Sequence, residues 1–274
     1  MSIILPNITY RPVLFYCLVF LISWSCWFIS AYMSYQIDHI VLTILFAFAG
    51  LLGPMVAAIM MIFFDANNLF DDYKRRFANL NNISWFAMLL MISIIFTTLF
   101  VAVFISLLFG FPAEQLTISR LLLSMLPFAL IAATFEELGW RSYGIDCLLA
   151  HRCLFVASCY FALLWGIWHV PLFFINQTYQ HGLYELGPIY IINFFISIFP
   201  ATIFANWLYY RCKRNIVAII LFHFMLVISA ELLQIEPETK FIITLILLII
   251  SMLLIYLEQK IFFSRLTLSQ HSLL

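Results

Sequence analysis

The sequence predicts an all-α polytopic membrane protein with about eight transmembrane helices. Hydrophobic residues make up 65% of its 274 residues and charged residues only 9%, whereas a soluble domain carries roughly 25% charged residues. Several apolar runs also reach the length of about 20 residues that a helix needs to cross a hydrocarbon core. We therefore exclude a soluble globular domain, and we expect the lipid bilayer rather than a nucleic acid to surround this chain.

Apolar runs separated by polar breaks define the predicted spans. They lie near residues 12–34, 40–64, 83–109, 121–149, 153–175, 188–210, 215–233 and 241–263. The loops between them are too short for a soluble domain, so we interpret residues 1–274 as a single membrane domain. The first run is too long for the apolar core of a signal peptide, and we expect it to remain as a span.

Lys and Arg are distributed unevenly between the two sides of these spans. The side that holds the N-terminal tail and every second loop carries 11 of the 13, and the other side carries only Arg120 and Lys240. Because positive charge marks the cytoplasm, both termini are predicted to be cytoplasmic, in a bacterial or archaeal cytoplasmic membrane. The clusters "YKRRF" and "RCKRN" are interpreted as topology anchors rather than lipid-binding sites.

A few ionisable residues remain inside the predicted spans. They are Glu136, Glu137, Arg141 and Asp146 on the fourth, His169 on the fifth, and His223 and Glu231 on the seventh. A charged side chain near the bilayer centre costs at least about 2.5–3.5 kcal/mol on insertion scales, so such residues usually form pairs, face a wet cavity and have a function. The alternative is a purely structural ion pair.

Helix geometry predicts that Glu136 and His169 lie at the same level. If the turn between the fourth and fifth spans falls at His151 and Arg152, each lies about 24–26 Å from it at 1.5 Å per residue. The fourth helix must then continue past Arg141. His223, roughly 13 Å into the seventh span, reaches the same level if this hairpin projects from the membrane.

Two adjacent carboxylates, Glu136 and Glu137, would not stabilise a helix, so a purely structural role is a poor explanation for them. They repel each other, which makes one of them a candidate general base, and Arg141 follows Glu137 at the favourable i,i+4 spacing. Four other polar residues lack such partners and are expected at the surface or at helix ends: Asp146, Glu231, His151 and His181.

Three motifs follow one another on successive spans: "EELGWR" at 136–141, "WGIWH" at 165–169 and "HFMLV" at 223–227. In this order they resemble the CPBP family, also called the ABI family, of intramembrane CAAX proteases and bacteriocin-processing enzymes. The resemblance covers a catalytic core of about residues 120–232. It implies an endopeptidase that hydrolyses a peptide bond of a peptide or membrane-protein substrate, in a membrane cavity open to the cytoplasm.

The resemblance also implies a role for each site residue. Glu136 would activate the water with help from His169, Glu137 and Arg141 would complete the acidic site, and His223 would face the oxyanion. Two Glu and two His could hold zinc with an open position. Because no H-E-x-x-H motif is present, we favour a metal-free glutamate mechanism and expect no cofactor.

Two positions depart from the family pattern. Trp165 stands where the second motif usually has Phe, which keeps an aromatic wall. Val227 stands where many members have Asn, so a donor is missing from the expected oxyanion site unless a neighbour replaces it. The candidate replacements are Asn193, Asn206 and Ser229.

Two alternatives to an enzyme remain. One, which the missing donor favours, is a non-catalytic membrane scaffold or immunity protein of the same fold. The other is a transporter or proton relay that uses the buried Glu and His. It would predict inverted repeats or broken helices, and the sequence does not show these convincingly.

Overall fold

The computed structural model describes residues 10–36, 39–64, 69–110, 120–229 and 235–264. Within these residues the chain is a bundle of helices and contains no β-strand. The predicted all-α class is therefore confirmed.

The helices vary widely in length. The first are α1 (Pro12–Ser34), α2 (Ile40–Leu51), α3 (Gly53–Phe63), α4 (Leu69–Ala78) and α5 (Trp85–Leu108), with a 3-10 turn at Leu80–Asn82. They are followed by α6 (Arg120–Gly139), a π-helical turn (Trp140–Gly144), α7 (Ile145–Leu149), α8 (Leu154–Trp168) and a 3-10 turn (Val170–Phe174). The last are α9 (Tyr179–Leu186), α10 (Pro188–Arg211), α11 (Ile216–Val227), α12 (Pro237–Leu257) and α13 (Gln259–Phe263).

Five helical segments of the described residues are long and apolar enough to cross a membrane. They are α1, α5, α8 with its 3-10 turn, α10 and α12. Together α2 and α3 form a sixth candidate, bent by 41°, and α11 is a shorter apolar helix. The chain is thus an integral membrane protein, while the count of eight spans stays a prediction.

Proline and glycine explain the bend between α2 and α3. Pro54 lies in the first turn of α3, where its missing N–H costs no helical hydrogen bond. Gly53 lies against α1, and a Cβ built on it would come within 2.0 Å of Ser23 Oγ. The chain therefore bends where α1 packs against α2 and α3.

The helix α6 packs between α3 and α11. Its last residue, Gly139, lies directly on the backbone of Pro54: a Cβ there would be 2.2 Å from the Pro54 carbonyl carbon. Only a glycine allows this approach of α6 to α3. The close contact fixes the end of α6 that carries Glu136 and Glu137.

The helical chain continues from α6 through the π turn into α7 without a break. It ends at Leu149, and the chain turns at residues 150–152 before α8 begins at Leu154. This confirms the predicted hairpin, in which the fourth helix extends past Arg141 to a turn at His151 and Arg152.

Four charged side chains from distant parts of the chain form a buried ionic cluster: Asp72, Arg76, Asp146 and Arg214. Arg76 Nη1 lies 2.8 Å from Asp146 Oδ2, which also pairs with Arg214 Nη2, and Arg214 Nη2 lies 3.0 Å from Asp72 Oδ2. Asp146 is fully buried, and the other three are at most 7% exposed. The cluster fastens α4 and the α10–α11 connection to α7.

The electrostatics of this cluster favour the ionised form of Asp72, which lies in α4 outside the candidate spans. Burial by itself raises the pKa of the Asp72 carboxyl. The guanidinium groups of Arg76 and Arg214 outweigh that effect and hold the pKa below its ordinary value. The carboxylate is therefore a stable partner for both arginines.

The ionic cluster corrects the expectation that Asp146 lies at the surface or at a solvated helix end. It also corrects the anchor interpretation for Arg76 and Arg214, because both are buried partners, while their neighbours Lys74 and Lys213 are exposed as anchors should be. The physical reason is that buried carboxylates on other segments pair with these arginines.

Three further polar residues were expected at the surface. His151 is exposed, which confirms the expectation. His181 is 8% exposed, and its Nε2 lies 3.1 Å from Tyr35 Oη, so the expectation for His181 was wrong. Glu231 lies outside the described residues.

Candidate active site

Three helices of the bundle, α6, α8 and α11, meet around a cavity of about 300 Å³. Glu136 from α6, His169 from the end of α8 and His223 from α11 line this cavity. Most of the other lining side chains are apolar or aromatic. The cavity thus combines an apolar wall with a few convergent polar groups, the usual character of a small-molecule or peptide site.

The carboxylate of Glu136 is oriented by two tryptophans. Its Oε2 accepts hydrogen bonds from Trp165 Nε1 at 3.0 Å and from Trp140 Nε1 at 3.3 Å. In the part of the chain that the structure describes, Oε1 has no hydrogen-bond partner. Because Glu136 lines the cavity, Oε1 is the oxygen available to a water molecule.

The carboxylate of Glu137 has a different environment, because it is 1% exposed and already paired. Its Oε1 lies 2.8 Å from His223 Nδ1, and since a carboxylate only accepts, Nδ1 is the donor. Its Oε2 lies 3.3 Å from Arg141 Nε, without hydrogen-bond geometry. Glu137 therefore orients His223, and Arg141 acts on Glu137 through charge.

The ring of His169 is fixed by its own helix. Its Nδ1 lies 2.7 Å from the carbonyl oxygen of Trp165, and because a carbonyl only accepts, Nδ1 carries a proton. In the neutral ring Nε2 is then an acceptor. The ring also contacts the ring of Phe194 on α10, with centroids 5.4 Å apart.

The π turn connects the site to the buried ionic cluster. Trp140 and Arg141, the partners of the two glutamates, are its first two residues. Arg76 donates through Nη1 to the carbonyl oxygen of Arg141 and through Nη2 to that of Ser142, both at 2.9 Å. Tyr209 Oη also donates to the Arg141 carbonyl oxygen, at 2.8 Å. These bonds hold the turn that presents Trp140 and Arg141 to the carboxylates.

The structure brings together every site residue that the sequence suggested: Glu136, Glu137, Arg141, His169 and His223. The indole donors of Trp140 and Trp165 were not predicted from the sequence. The available signal was that a buried tryptophan N–H needs an acceptor, and Glu136 stands four residues before Trp140.

Val227 lines the cavity one helical turn after His223. Of the residues considered as replacements for a missing asparagine, Asn193 and Ser229 also line the cavity. Asn206 instead lies fully buried and donates through Nδ2 to Ser158 Oγ at 2.9 Å. Asn206 is therefore not available to the site.

The side chains of the site bind one another and do not surround a position that a metal ion could occupy. Among the described residues, no three His, Cys, Asp or Glu side chains are arranged to hold a metal ion together. His223 already uses Nδ1 for Glu137. The metal-free site stays a prediction.

The cavity extends from Glu136 toward one end of the bundle. Its lining includes Tyr179 at the start of α9, Tyr190 in the first turn of α10 and Lys240 in the first turn of α12. The buried ionic cluster contacts Tyr209 at the opposite end of α10, about 28 Å from Tyr190 at 1.5 Å per residue. The cavity and the ionic cluster therefore lie toward opposite ends of the molecule.

Two comparisons with known proteins relate to this arrangement. Residues 118–229 match the sequence profile of a family described as type II CAAX prenyl endopeptidase Rce1-like. A protein from Methanococcus maripaludis named CAAX prenyl protease 2 is 32% identical over 264 residues, which covers 94% of this chain and 97% of the relative. The matched segment contains the glutamates, the arginine and both histidines of the site.

Proposed function

Because the chain belongs to the Rce1-like family of type II CAAX prenyl endopeptidases, we propose that it hydrolyses a peptide bond with a water molecule activated by Glu136. One observation carries this proposal. Of the two adjacent carboxylates, Glu136 lines the cavity with Oε1 available, whereas Glu137 is buried and bound to His223 and Arg141.

In the first step, water bound between Glu136 and His169 attacks the carbonyl carbon of the scissile bond. Glu136 Oε1 takes one proton of the water as general base. The unprotonated Nε2 of His169 accepts a hydrogen bond from the other water hydrogen and so orients the oxygen. The new carbon–oxygen bond forms while the carbonyl electron pair moves onto its oxygen.

The resulting oxyanion is stabilised by His223. We assign this histidine the doubly protonated form, in which Nδ1 donates to Glu137 and Nε2 donates to the oxyanion. The tetrahedral intermediate collapses when the carbon–nitrogen bond breaks and Glu136 returns its proton to the leaving amine. Protons therefore balance without a further acid or base.

We take the substrate class to test from the name of the relative. A C-terminal C-a-a-X box carries a prenyl lipid on its cysteine, and the relative is named for such a substrate. The apolar wall of the cavity suits both the aliphatic side chains and a lipid. We propose prenylated peptides with this C-terminal box as the substrates to test first.

The test uses purified protein in proteoliposomes with a prenylated peptide and its unprenylated counterpart. We expect cleavage within the box, detected by mass spectrometry, with a preference for the prenylated peptide. Cleavage should persist after treatment with EDTA and 1,10-phenanthroline, since the proposed mechanism needs no metal. A wild-type protein that binds the peptide but never cleaves it would support the non-catalytic scaffold instead.

A further inference from the structure

The π turn that joins α6 to α7 deprives one backbone carbonyl of its helical partner. In an α-helix the N–H of Ile145 would donate to the carbonyl oxygen of Arg141, four residues earlier. Here it donates instead to the carbonyl oxygen of Trp140, five residues earlier. A buried carbonyl without a donor is unfavourable, so the turn requires a donor from another part of the chain.

Two side chains supply this donor. Arg76 Nη1 and Tyr209 Oη both donate to the carbonyl oxygen of Arg141, at 2.9 and 2.8 Å, and Arg76 Nη1 also donates to Tyr209 Oη at 2.9 Å. Arg76 Nη2 donates to the next carbonyl oxygen, that of Ser142, at 2.9 Å. Arg76 is 4% exposed and Tyr209 is fully buried, so bulk water does not compete for these bonds.

The chain is fixed on both sides of the turn. Gly139, the residue before the turn, lies directly on the backbone of α3. At the end of the turn, Tyr16 Oη on α1 donates to the carbonyl oxygen of Gly144 at 3.1 Å. A change from the π to the α hydrogen-bond register would therefore displace the residues between these two points, and Trp140 and Arg141 are the first of them.

We propose that Arg76 and Tyr209 are positioning residues of the peptidase, because they hold this turn in the π register. Neither is among the described residues that line the cavity. They act through Trp140 and Arg141, which contact the two glutamates of the site. The proposal rests on the proposed function, and it adds that a side chain of α4, outside the candidate spans, controls the geometry of the general base.

A lysine at position 76 separates this role from charge compensation in the buried ionic cluster. Arg76→Lys keeps a positive charge beside Asp72 and Asp146, but it lacks the planar fork with which one guanidinium reaches both carbonyl oxygens. Tyr209→Phe keeps the buried ring and removes only the hydroxyl group. Both variants should therefore fold, and their thermal stability in detergent should stay close to that of the wild type.

The first measurement is cleavage of the prenylated peptide by these two variants. We expect each to lower kcat about 10-fold or more, since a misplacement of about 1 Å can cost 100-fold in rate. KM should stay close to the wild-type value, because neither side chain lines the cavity. The matched control is Arg75→Lys at the next position of α4, where the side chain is 51% exposed. It should cleave at the wild-type rate, and an equal loss in this control would refute the proposal.

Hydrogen–deuterium exchange of residues 140–149 tests the register without any activity. We expect faster exchange of this segment in both variants than in the wild type and in Arg75→Lys, because the turn opens more often once a donor is lost. If Arg76→Lys does not fold, Tyr209→Phe decides alone.

The outcomes separate this proposal from the proposed function. If a folded variant keeps the wild-type kcat, or if kcat falls while exchange of residues 140–149 is unchanged, the positioning role is refuted and the peptidase remains. A wild type that never cleaves the peptide, together with faster exchange in the variants, would refute the peptidase and leave the role of Arg76 and Tyr209 in holding the turn.

Discussion

The orientation of Glu136 depends on single hydrogen-bond donors, and Trp165 is the clearest of them. A phenylalanine at this position keeps the aromatic wall but cannot donate to Glu136 Oε2. A hydrogen bond to a charged group contributes about 1.5–3 kcal/mol, so we expect Trp165→Phe to lower kcat by about 10-fold with little change in KM. Steady-state cleavage of the prenylated peptide measures this effect.

The matched control is Trp168→Phe on the same helix. Trp168 also lines the cavity, but its Nε1 donates to Ser23 Oγ at 2.8 Å. Its replacement should leave kcat within about twofold, apart from any loss of folded protein. Equal kcat values for wild type and Trp165→Phe would show that this donor does not orient the base.

Val227 lines the cavity at the position where we expect an oxyanion donor. An asparagine there would stand one turn after His223 and would face the same cavity. Because its bond strengthens as charge develops on the carbonyl oxygen, we expect Val227→Asn to raise kcat by about 10-fold and to leave KM nearly unchanged. A gain confined to KM would instead indicate tighter substrate binding, and no gain would mean that the oxyanion lies elsewhere.

At the scale of helices, the approach of α6 to α3 is required to place both glutamates. Gly139→Ala adds a methyl group at 2.2 Å from the Pro54 carbonyl carbon, so one of the two backbones must shift. We expect this variant to lose most of its activity and several degrees of thermal stability in detergent, since a misplacement of about 1 Å can cost 100-fold in rate.

Gly182→Ala provides the control for this steric argument. Gly182 lies in α9, and a Cβ built on it meets nothing within 4 Å. Alanine is also the better helix former by about 1 kcal/mol, so the control should be as stable as the wild type or more so. Similar losses in both variants would contradict the close-packing account.

The helical elements also show what the sequence could and could not reveal. The hairpin of α6, α7 and α8 was predictable because its length and its turn follow from apolar runs and helix rise. The role of Arg76 was not, because a basic cluster between two spans has the same pattern whether its arginines face solvent or a buried carboxylate. Only the fold brings Arg76 to Asp146 and to the π turn.

The residues of the candidate site were predictable for a different reason. Glu136, Glu137 and His223 are ionisable residues in apolar spans, where burying a charge is unfavourable. Their order on successive spans resembles that of a known protease family. The sequence did not predict which of the two glutamates faces the cavity and which one binds His223, because this depends on how α6 packs in the fold.

The distribution of basic residues over the whole molecule bears on its orientation in the membrane. Three of the 11 basic residues on the predicted cytoplasmic side, Arg76, Arg141 and Arg214, are buried in pairs, which leaves eight against two. The charge rule therefore still places both termini in the cytoplasm. The α9 end of the cavity would then face away from the cytoplasm. A substrate made in the cytoplasm would instead need this end to face the cytoplasm.

Cysteine labelling in intact cells decides between these orientations. Tyr184 on α9 is 54% exposed, and Lys213 is exposed at the opposite end. From the charge rule, we expect an impermeant thiol reagent to label Tyr184→Cys and not Lys213→Cys, above the background of the native cysteines. The reverse pattern would show that charge counting fails here and that cytoplasmic substrates reach the cavity directly.

If Glu136 is the general base of a peptidase, Glu136→Gln should lose most of its peptidase activity, and the rate of peptide cleavage measures this loss. Glutamine keeps the size of the side chain and an acceptor for Trp165 but cannot take the proton of water. We expect a loss of about 100-fold or more in kcat, with normal expression and thermal stability. Glu185→Gln, which changes an exposed carboxylate on α9, should cleave at the wild-type rate. Cleavage by folded Glu136→Gln at the wild-type rate would show that Glu136 is not the general base.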